Sequence, residues 1–232
     1  MQVRNRTKRT HVTTIELALT STLAAVYIVS AFFALTPFIG GPGFITLEIV
    51  VLPIIAFLLR PILATVAVLV GSVGSAFVQT GFYSVFGFAG LLIPILAVAL
   101  GSIAFHYEWG AIVPWGYVLA GAVYYIVFSK GGTLLWLAPY IIVIASLPAA
   151  LRIRDPYRLG LLALYTAMSE QVTLNVLSIS LLNLTGAFWT GVAPLMFLER
   201  TIATIGGFAV IVALKSRLET RLELGHVLME VK

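Results

Sequence analysis

The chain has 232 residues, of which 60% are hydrophobic and 10% charged, with a formal net charge of +5 and a mean hydropathy of +1.07. Soluble domains carry about a quarter charged residues, so this much apolar surface excludes a water-soluble fold and makes lipid the expected solvent. Cysteine is absent, which excludes disulfides, thiolate metal sites and cysteine nucleophiles.

Residues 1–13 read as a basic cytoplasmic segment. They are not expected to belong to a cleavable signal peptide, because the apolar run that follows is too long and shows no small-residue cleavage site. A membrane crossing takes about 20 mostly apolar residues, with about 17 tolerated. That criterion predicts an all-α integral membrane bundle of eight spans, at 14–36, 44–60, 61–79, 87–105, 110–128, 133–151, 159–182 and 191–214, within a single transmembrane domain, 14–214. Turn chemistry marks the breaks: Gly40-Gly41-Pro42-Gly43, Arg60-Pro61, the stretch Gln79 to Gly87, His106 to Gly110, Lys130-Gly131-Gly132, Arg152 to Arg158, and Asn183 to Gly191. The second and third spans are short and divided by one proline. After Leu214 the tail, 215–232, reads as a cytoplasmic amphipathic helix with Leu218, Leu222 and Leu228 on one side.

The basic residues orient these spans. Arg4, Arg6, Lys8, Arg9, Arg60, Arg152, Arg154, Arg158, Lys215, Arg217, Arg221 and Lys232 fall on one side, Lys130 on the other, and Arg200 inside a span. An excess of lysine and arginine marks cytoplasmic loops. Both termini are therefore expected in the cytoplasm, in a multi-pass plasma-membrane protein. The pI near 9.6 is assigned to this topology, and no nucleic-acid partner is expected.

Charges inside a span cost about 2.5–3.5 kcal/mol each on insertion scales. Glu48, Glu170, Glu199 and Arg200 all fall well inside. At about 1.5 Å per residue, Glu48 and Glu170 lie roughly 17–18 Å from the inner ends of their spans, and Glu199 and Arg200 roughly 21–23 Å. Three spans thus bring polar groups to a similar level, from the middle to the outer half of a core about 30 Å thick. Helical spacing places Glu170, Gln171, Asn175 and Ser178 on one face of the seventh span, and Met196, Arg200, Ala203, Thr204 and Gly207 on one face of the eighth. Gly206-Gly207 allows a neighbouring backbone or a ligand to approach. The outer loops carry aromatics, Phe82, Tyr83, Phe86 and Phe88, then Phe188 and Trp189, suited to lid a pocket and stack on a planar ligand. Two readings stay open: a small-molecule pocket, or structural pairing of the carboxylates with Arg200 beneath an interfacial aromatic belt. Three carboxylates against one arginine leave a charge for a proton, an ion, a cationic substrate or a partner to complete. Small residues recur every four positions at Ala67, Gly71 and Ser75, at Ala97 and Gly101, and at Ser21 and Ala25, as close helix contacts require.

There is no Gly-x-x-x-x-Gly-Lys-Ser/Thr phosphate loop and no histidine expected beside a buried serine. Gly71-Ser72-Val73-Gly74 does not complete a nucleophile elbow. The expectation is a non-enzyme without cofactor or bound metal. No repeat relates the two halves, as many self-sufficient carriers would show.

Residues 14–105 resemble the substrate-binding S component of energy-coupling factor (ECF) transporters. The resemblance rests on Leu17 to Tyr27, on the Pro/Gly-rich outer loop ending Gly43-Phe44-Ile45-Thr46-Leu47, on the short span ending Leu59-Arg60-Pro61, on Val70 to Ser75, and on the Gly90 to Gly101 helix. Pro194 to Gly207, with Leu198-Glu199-Arg200-Thr201-Ile202, is similar to the family's last helix. The resemblance implies a six-helix membrane domain that captures a vitamin, a precursor or a metal ion in its outer half, then joins a transmembrane coupling protein and cytoplasmic ATPases. The buried polar groups and outer-loop aromatics make Glu48, Tyr83, Glu170, Gln171, Asn175, Trp189, Glu199 and Arg200 the candidate substrate-binding residues, and the resemblance suits the cluster at Glu48, Glu170, Asn175 and Glu199. Ser21-x-x-x-Ala25 stands where the family often shows Ala-x-x-x-Ala for contact with the coupling protein. Residues 110–151 then form an extra helical hairpin. The expected function is substrate capture for an uptake transporter of a small nutrient. The alternatives are an accessory subunit of a larger membrane complex, or a stand-alone ion-coupled carrier.

Overall fold

Capping, proline placement and apolar runs resolve the chain into eight α-helices in the computed structural model, which describes residues 12–38, 44–77, 80, 85–184 and 186–221. Helix α1 (Thr14–Ser30) opens on a capping box: Glu16 N–H donates to the Thr13 hydroxyl, and the Glu16 carboxylate accepts from Thr13 N–H at 2.9 Å. The reciprocal bonds satisfy donors that a helix start leaves free. Residues 31–36, expected to continue the first span, leave the helix instead. They enter a two-stranded antiparallel hairpin, β1 (Ala34–Pro37) with β2 (Phe44–Thr46), Thr36 facing Ile45.

Helix α2 (Glu48–Leu58) follows and stops at Leu59, which is extended. Arg60 is extended too, at ψ 153°, as the clash of a proline ring with the residue before it requires, and Pro61 starts α3 (Pro61–Ala76). A 3₁₀ turn (Gly87–Leu91) leads into α4 (Leu92–His106). Then come α5 (Ile112–Phe128), a 3₁₀ turn (Leu134–Leu137) and α6 (Ala138–Arg152). Helix α7 (Tyr157–Leu182) ends on Asn183, which takes the left-handed conformation, φ 51°, one that asparagine tolerates at a helix end. Helix α8 (Gly186–Arg221) runs unbroken through the eighth expected span and into the predicted tail helix. The N-terminal segment as far as residue 11 and the tail from 222 lie outside the described residues.

Among the described residues three helical stretches are long and apolar enough to cross a membrane: Gly87–His106, Leu134–Arg152 and Phe188–Arg217. Four more, Thr14–Ser30, Glu48–Leu58, Pro61–Ala76 and Ile112–Phe128, are apolar but shorter. Helix α7 is more polar because it is enclosed: it packs on α2, α4, α5, α6 and α8, and Ser169, Gln171, Thr173, Asn175 and Ser178 are all buried within it. Helix α2, about 16 Å long at 1.5 Å per residue, sits among α1, α3, α4, α7 and α8, with Leu52, Ile55 and Ala56 fully buried.

Two of the three small-residue stripes, at Ala67, Gly71 and Ser75 and at Ala97 and Gly101, are internal packing. A Cβ on Gly71 would meet the Tyr27 ring of α1 at 2.7 Å, and one on Gly101 would meet the Thr166 hydroxyl of α7. Gly207 receives α2, with Pro53 3.0 Å from where its Cβ would lie, so the glycine pair admits a neighbouring helix. Ser21 and Ala25 are exposed on α1. The 110–151 hairpin is tied to α7 by hydroxyls. Tyr117 bonds Thr173 at 2.9 Å, Tyr124 bonds Ser180 at 2.7 Å, and Ser146 bonds Tyr165 at 3.0 Å.

Ion pairs gather the turns at one end. Arg60 meets Glu16 at 2.8 Å and Lys215 meets Asp155 at 2.5 Å. Ser102 donates to Leu59 C=O at 2.6 Å and also contacts His106. Both ion pairs are partly exposed, so each contributes little to stability, at most about 1 kcal/mol.

Candidate functional site

A cavity opens where β1 and the start of β2 meet the second half of α7, the start of α8 and the 3₁₀ turn before α6. Pro37, Phe38 and Ile45 line it from the hairpin, Gln171, Leu174, Asn175 and Ser178 from α7, and Phe188, Trp189, Met196 and Glu199 from α8. Trp136 closes it from the 110–151 hairpin. Its volume is near 50 Å³, room for a few waters at about 10–15 Å³ each, and the space out into open solvent totals about 440 Å³.

The aromatic wall is continuous. Trp136 and Trp189 rings lie 4.9 Å apart and tilted by 58°. Phe188 meets Trp189 edge-on at 5.2 Å, and Tyr125 packs against both tryptophans. On the hairpin side Phe38 packs on Phe86 at 5.6 Å.

A polar ladder climbs α7. Gln171 donates through Nε2 to Asn175 Oδ1 at 2.8 Å, and Asn175 donates through Nδ2 to the Tyr140 hydroxyl of α6. These bonds leave Gln171 Oε1 without a hydrogen-bond partner among the described residues, and the Trp189 indole N–H is in the same position. Both side chains are about 98% buried, each residue having 2% exposure. A buried polar group without a partner costs about 1–3 kcal/mol, a cost a bound ligand would remove.

Beside the cavity sits a charge cluster. Arg200 Nη1 donates to Glu170 Oε2 at 2.5 Å and to Ala167 C=O at 2.9 Å, joining α8 to α7. Its Nη2 reaches Glu199 only at 3.8 Å. Glu199 accepts a hydrogen bond from the Thr36 hydroxyl of the hairpin. All three charged residues are buried.

Of the eight residues singled out as substrate-binding, Gln171, Asn175, Trp189 and Glu199 line the cavity. Glu170 and Arg200 stand behind it as an ion pair. Glu48 occupies the first turn of α2 and is not among the lining residues. A carboxylate there complements the positive end of the helix dipole, which supplies a structural reason for its position. Tyr83 lies outside the described residues. Thr36, Trp136 and Tyr140 were not foreseen, since each arrives from an element far away in sequence.

Compared with family models, curated proteins and solved structures, the chain has no match.

Proposed function

We propose that this chain is the membrane-embedded substrate-capture subunit of an ECF-type uptake transporter, spanning the plasma membrane with eight helices and taking up a small vitamin-like nutrient. The observation that carries the reading is the aromatic-walled cavity bearing the buried Glu199 carboxylate. Pockets with apolar walls and a few polar groups are the usual form of a ligand site. The topology supports it. The turns holding Arg60, Arg152, Arg154 and Arg158 belong to the end opposite the hairpin and cavity, as does Lys215 with Arg217, while Lys130 belongs to the cavity end. By the positive-inside rule the cavity then faces out, both termini are cytoplasmic, and 14–214 is the membrane domain. With no phosphate loop of its own, the chain depends on a coupling protein and ATPases for energy, and the exposed Ser21 and Ala25 on α1 are its docking residues for the coupling protein.

Thermal-shift measurement of the detergent-purified chain against vitamins, their precursors and divalent metals tests this. A ligand at 100 times its Kd adds about 2.7 kcal/mol, and the gain is expected to vanish in Glu199→Ala. Silence across the panel, with no ATPase subunits co-purifying, overturns the reading. One observation favours a second reading, an accessory subunit of a larger complex: Arg200 Nη1 ties Glu170 and Ala167 C=O together without any ligand. That reading expects alanine variants of the pair to disturb assembly while no ligand ever stabilises the chain.

A further inference from the structure

We infer that the cavity selects a flat, positively charged ligand whose edge carries adjacent N–H donors, of the amidine or amino-heterocycle class, and rejects carboxylates of the same shape. The inference rests on the substrate-capture reading and names the chemistry of its ligand. Three observations converge on it.

The first is charge. Glu170, Glu199 and Arg200 form one buried cluster with one more carboxylate than cation. Arg200 Nη1 bonds Glu170 and Ala167 C=O, while Nη2 stands at 3.8 Å from Glu199 and makes no hydrogen bond among the described residues. Glu199 is therefore the less compensated carboxylate, and it is the one that lines the cavity. In a low-dielectric setting a ligand cation completes this set, whereas a ligand anion adds a like charge to it.

The second is hydrogen-bonding polarity. The ladder from Tyr140 through Asn175 consumes a donor of Gln171 and leaves its Oε1 as an acceptor without a partner. Gln171 and Glu199 thus offer acceptors in the cavity lining, which call for donors on the ligand. The Trp136 and Trp189 N–H groups, also without partners among the described residues, call for an acceptor on the same ligand. The third is shape. Trp136, Trp189 and Phe188 form an aromatic wall, and aromatic faces attract flat rings and cations alike.

Benzamidine, benzamide and benzoate share one ring and differ in charge and donors, so their binding to the purified full chain, followed by calorimetry and tryptophan fluorescence, separates the terms. Benzamidine is expected to bind at least about 10-fold tighter than benzamide, the lower end for a hydrogen bond to a charged group, with benzoate undetected. Glu199→Gln is expected to bring benzamidine down to the benzamide level, and Gln171→Leu to weaken it by about 10-fold. Trp189→Phe keeps a ring and removes the N–H, so it serves if Gln171→Leu fails to fold. It is expected to weaken benzamide, whose carbonyl is an acceptor, and to leave protonated benzamidine, which has none, unchanged, so that the ratio of benzamidine to benzamide affinity rises. Benzoate binding as tightly as benzamidine overturns the inference and leaves the capture site standing. Silence from all three probes, while some nutrient stabilises the chain, overturns it equally. Silence from every probe and nutrient removes both readings together.

Discussion

Replacing Arg200 with methionine tests the buried cluster most directly. The guanidinium is 3% exposed and makes its short contacts to Glu170 Oε2, at 2.5 Å, and Ala167 C=O, at 2.9 Å. Methionine has similar length and no charge. Its introduction strands the Glu170 carboxylate beside Glu199 with no cation between them and leaves the carbonyl short of a donor. Removing one partner of a buried pair costs about 3–5 kcal/mol, so the single variant is expected to lose that much stability. Replacing both partners, Arg200→Met with Glu170→Leu, removes the uncompensated charge as well, and paired apolar replacement is often neutral. The double variant is therefore expected to recover most of the loss. Unfolding by sodium dodecyl sulfate in mixed micelles, followed by tryptophan fluorescence, reads both. A single variant within about 0.5 kcal/mol of the parent, the range of ordinary surface substitutions, would refute the pair as a structural tie between α7 and α8.

Other outcomes follow from the same contacts. Thr36→Val removes the bond from the hairpin to Glu199 and is expected to cost about 1.5–3 kcal/mol, as for hydrogen bonds to charged groups, with faster amide hydrogen exchange across 34–37 and 44–46. Gly101→Ala drives a methyl against Thr166 and is expected to cost about 1–3 kcal/mol as overpacking; adding Thr166→Ala should return much of it in the same unfolding assay. Thr13→Ala removes the N-cap of α1 and is expected to cost about 1 kcal/mol, read by thermal unfolding. Because the chain has no cysteine, Arg154→Cys and Lys130→Cys each place a single thiol on opposite sides of the proposed membrane topology. A membrane-impermeant maleimide added to intact cells is expected to label the second and not the first, and the reverse pattern inverts the orientation.

Helix number and most breaks were legible because proline, glycine and arginine punctuate the apolar runs. The end of the first helix was not. Ala31 to Leu35 are all apolar, and an apolar run alone does not separate a buried strand from a further helical turn. The α7 contribution to the cavity, Gln171, Asn175 and Ser178, was readable from the 100° step of a helix. Glu48 shows what that arithmetic lacks. Counting residues along a span gives depth and no direction around the bundle, so a carboxylate at the right level was placed at a cavity it does not line. Trp136 and Tyr140 carry no charge and lie in the 110–151 hairpin, so neither the depth argument nor the outer-loop aromatics singles them out. A clue lay in spacing. Tyr117 and Tyr124, seven apart on α5, meet Thr173 and Ser180, seven apart on α7. A sevenfold repeat on two parallel helices keeps matched side chains facing each other over two turns.

Helix α8 carries Trp189 and Glu199 in the cavity wall and Lys215 and Arg217 at the other end of one unbroken rod. From residue 189 to residue 217 the rod measures roughly 42 Å at 1.5 Å per residue. Over that length a tilt of about 5° pivoting at the cavity sweeps the basic end sideways by roughly 3.5 Å, on the same geometry. In such a tilt the aromatic wall would be the fulcrum, and the Lys215–Asp155 pair the point where the swing would be felt as strain.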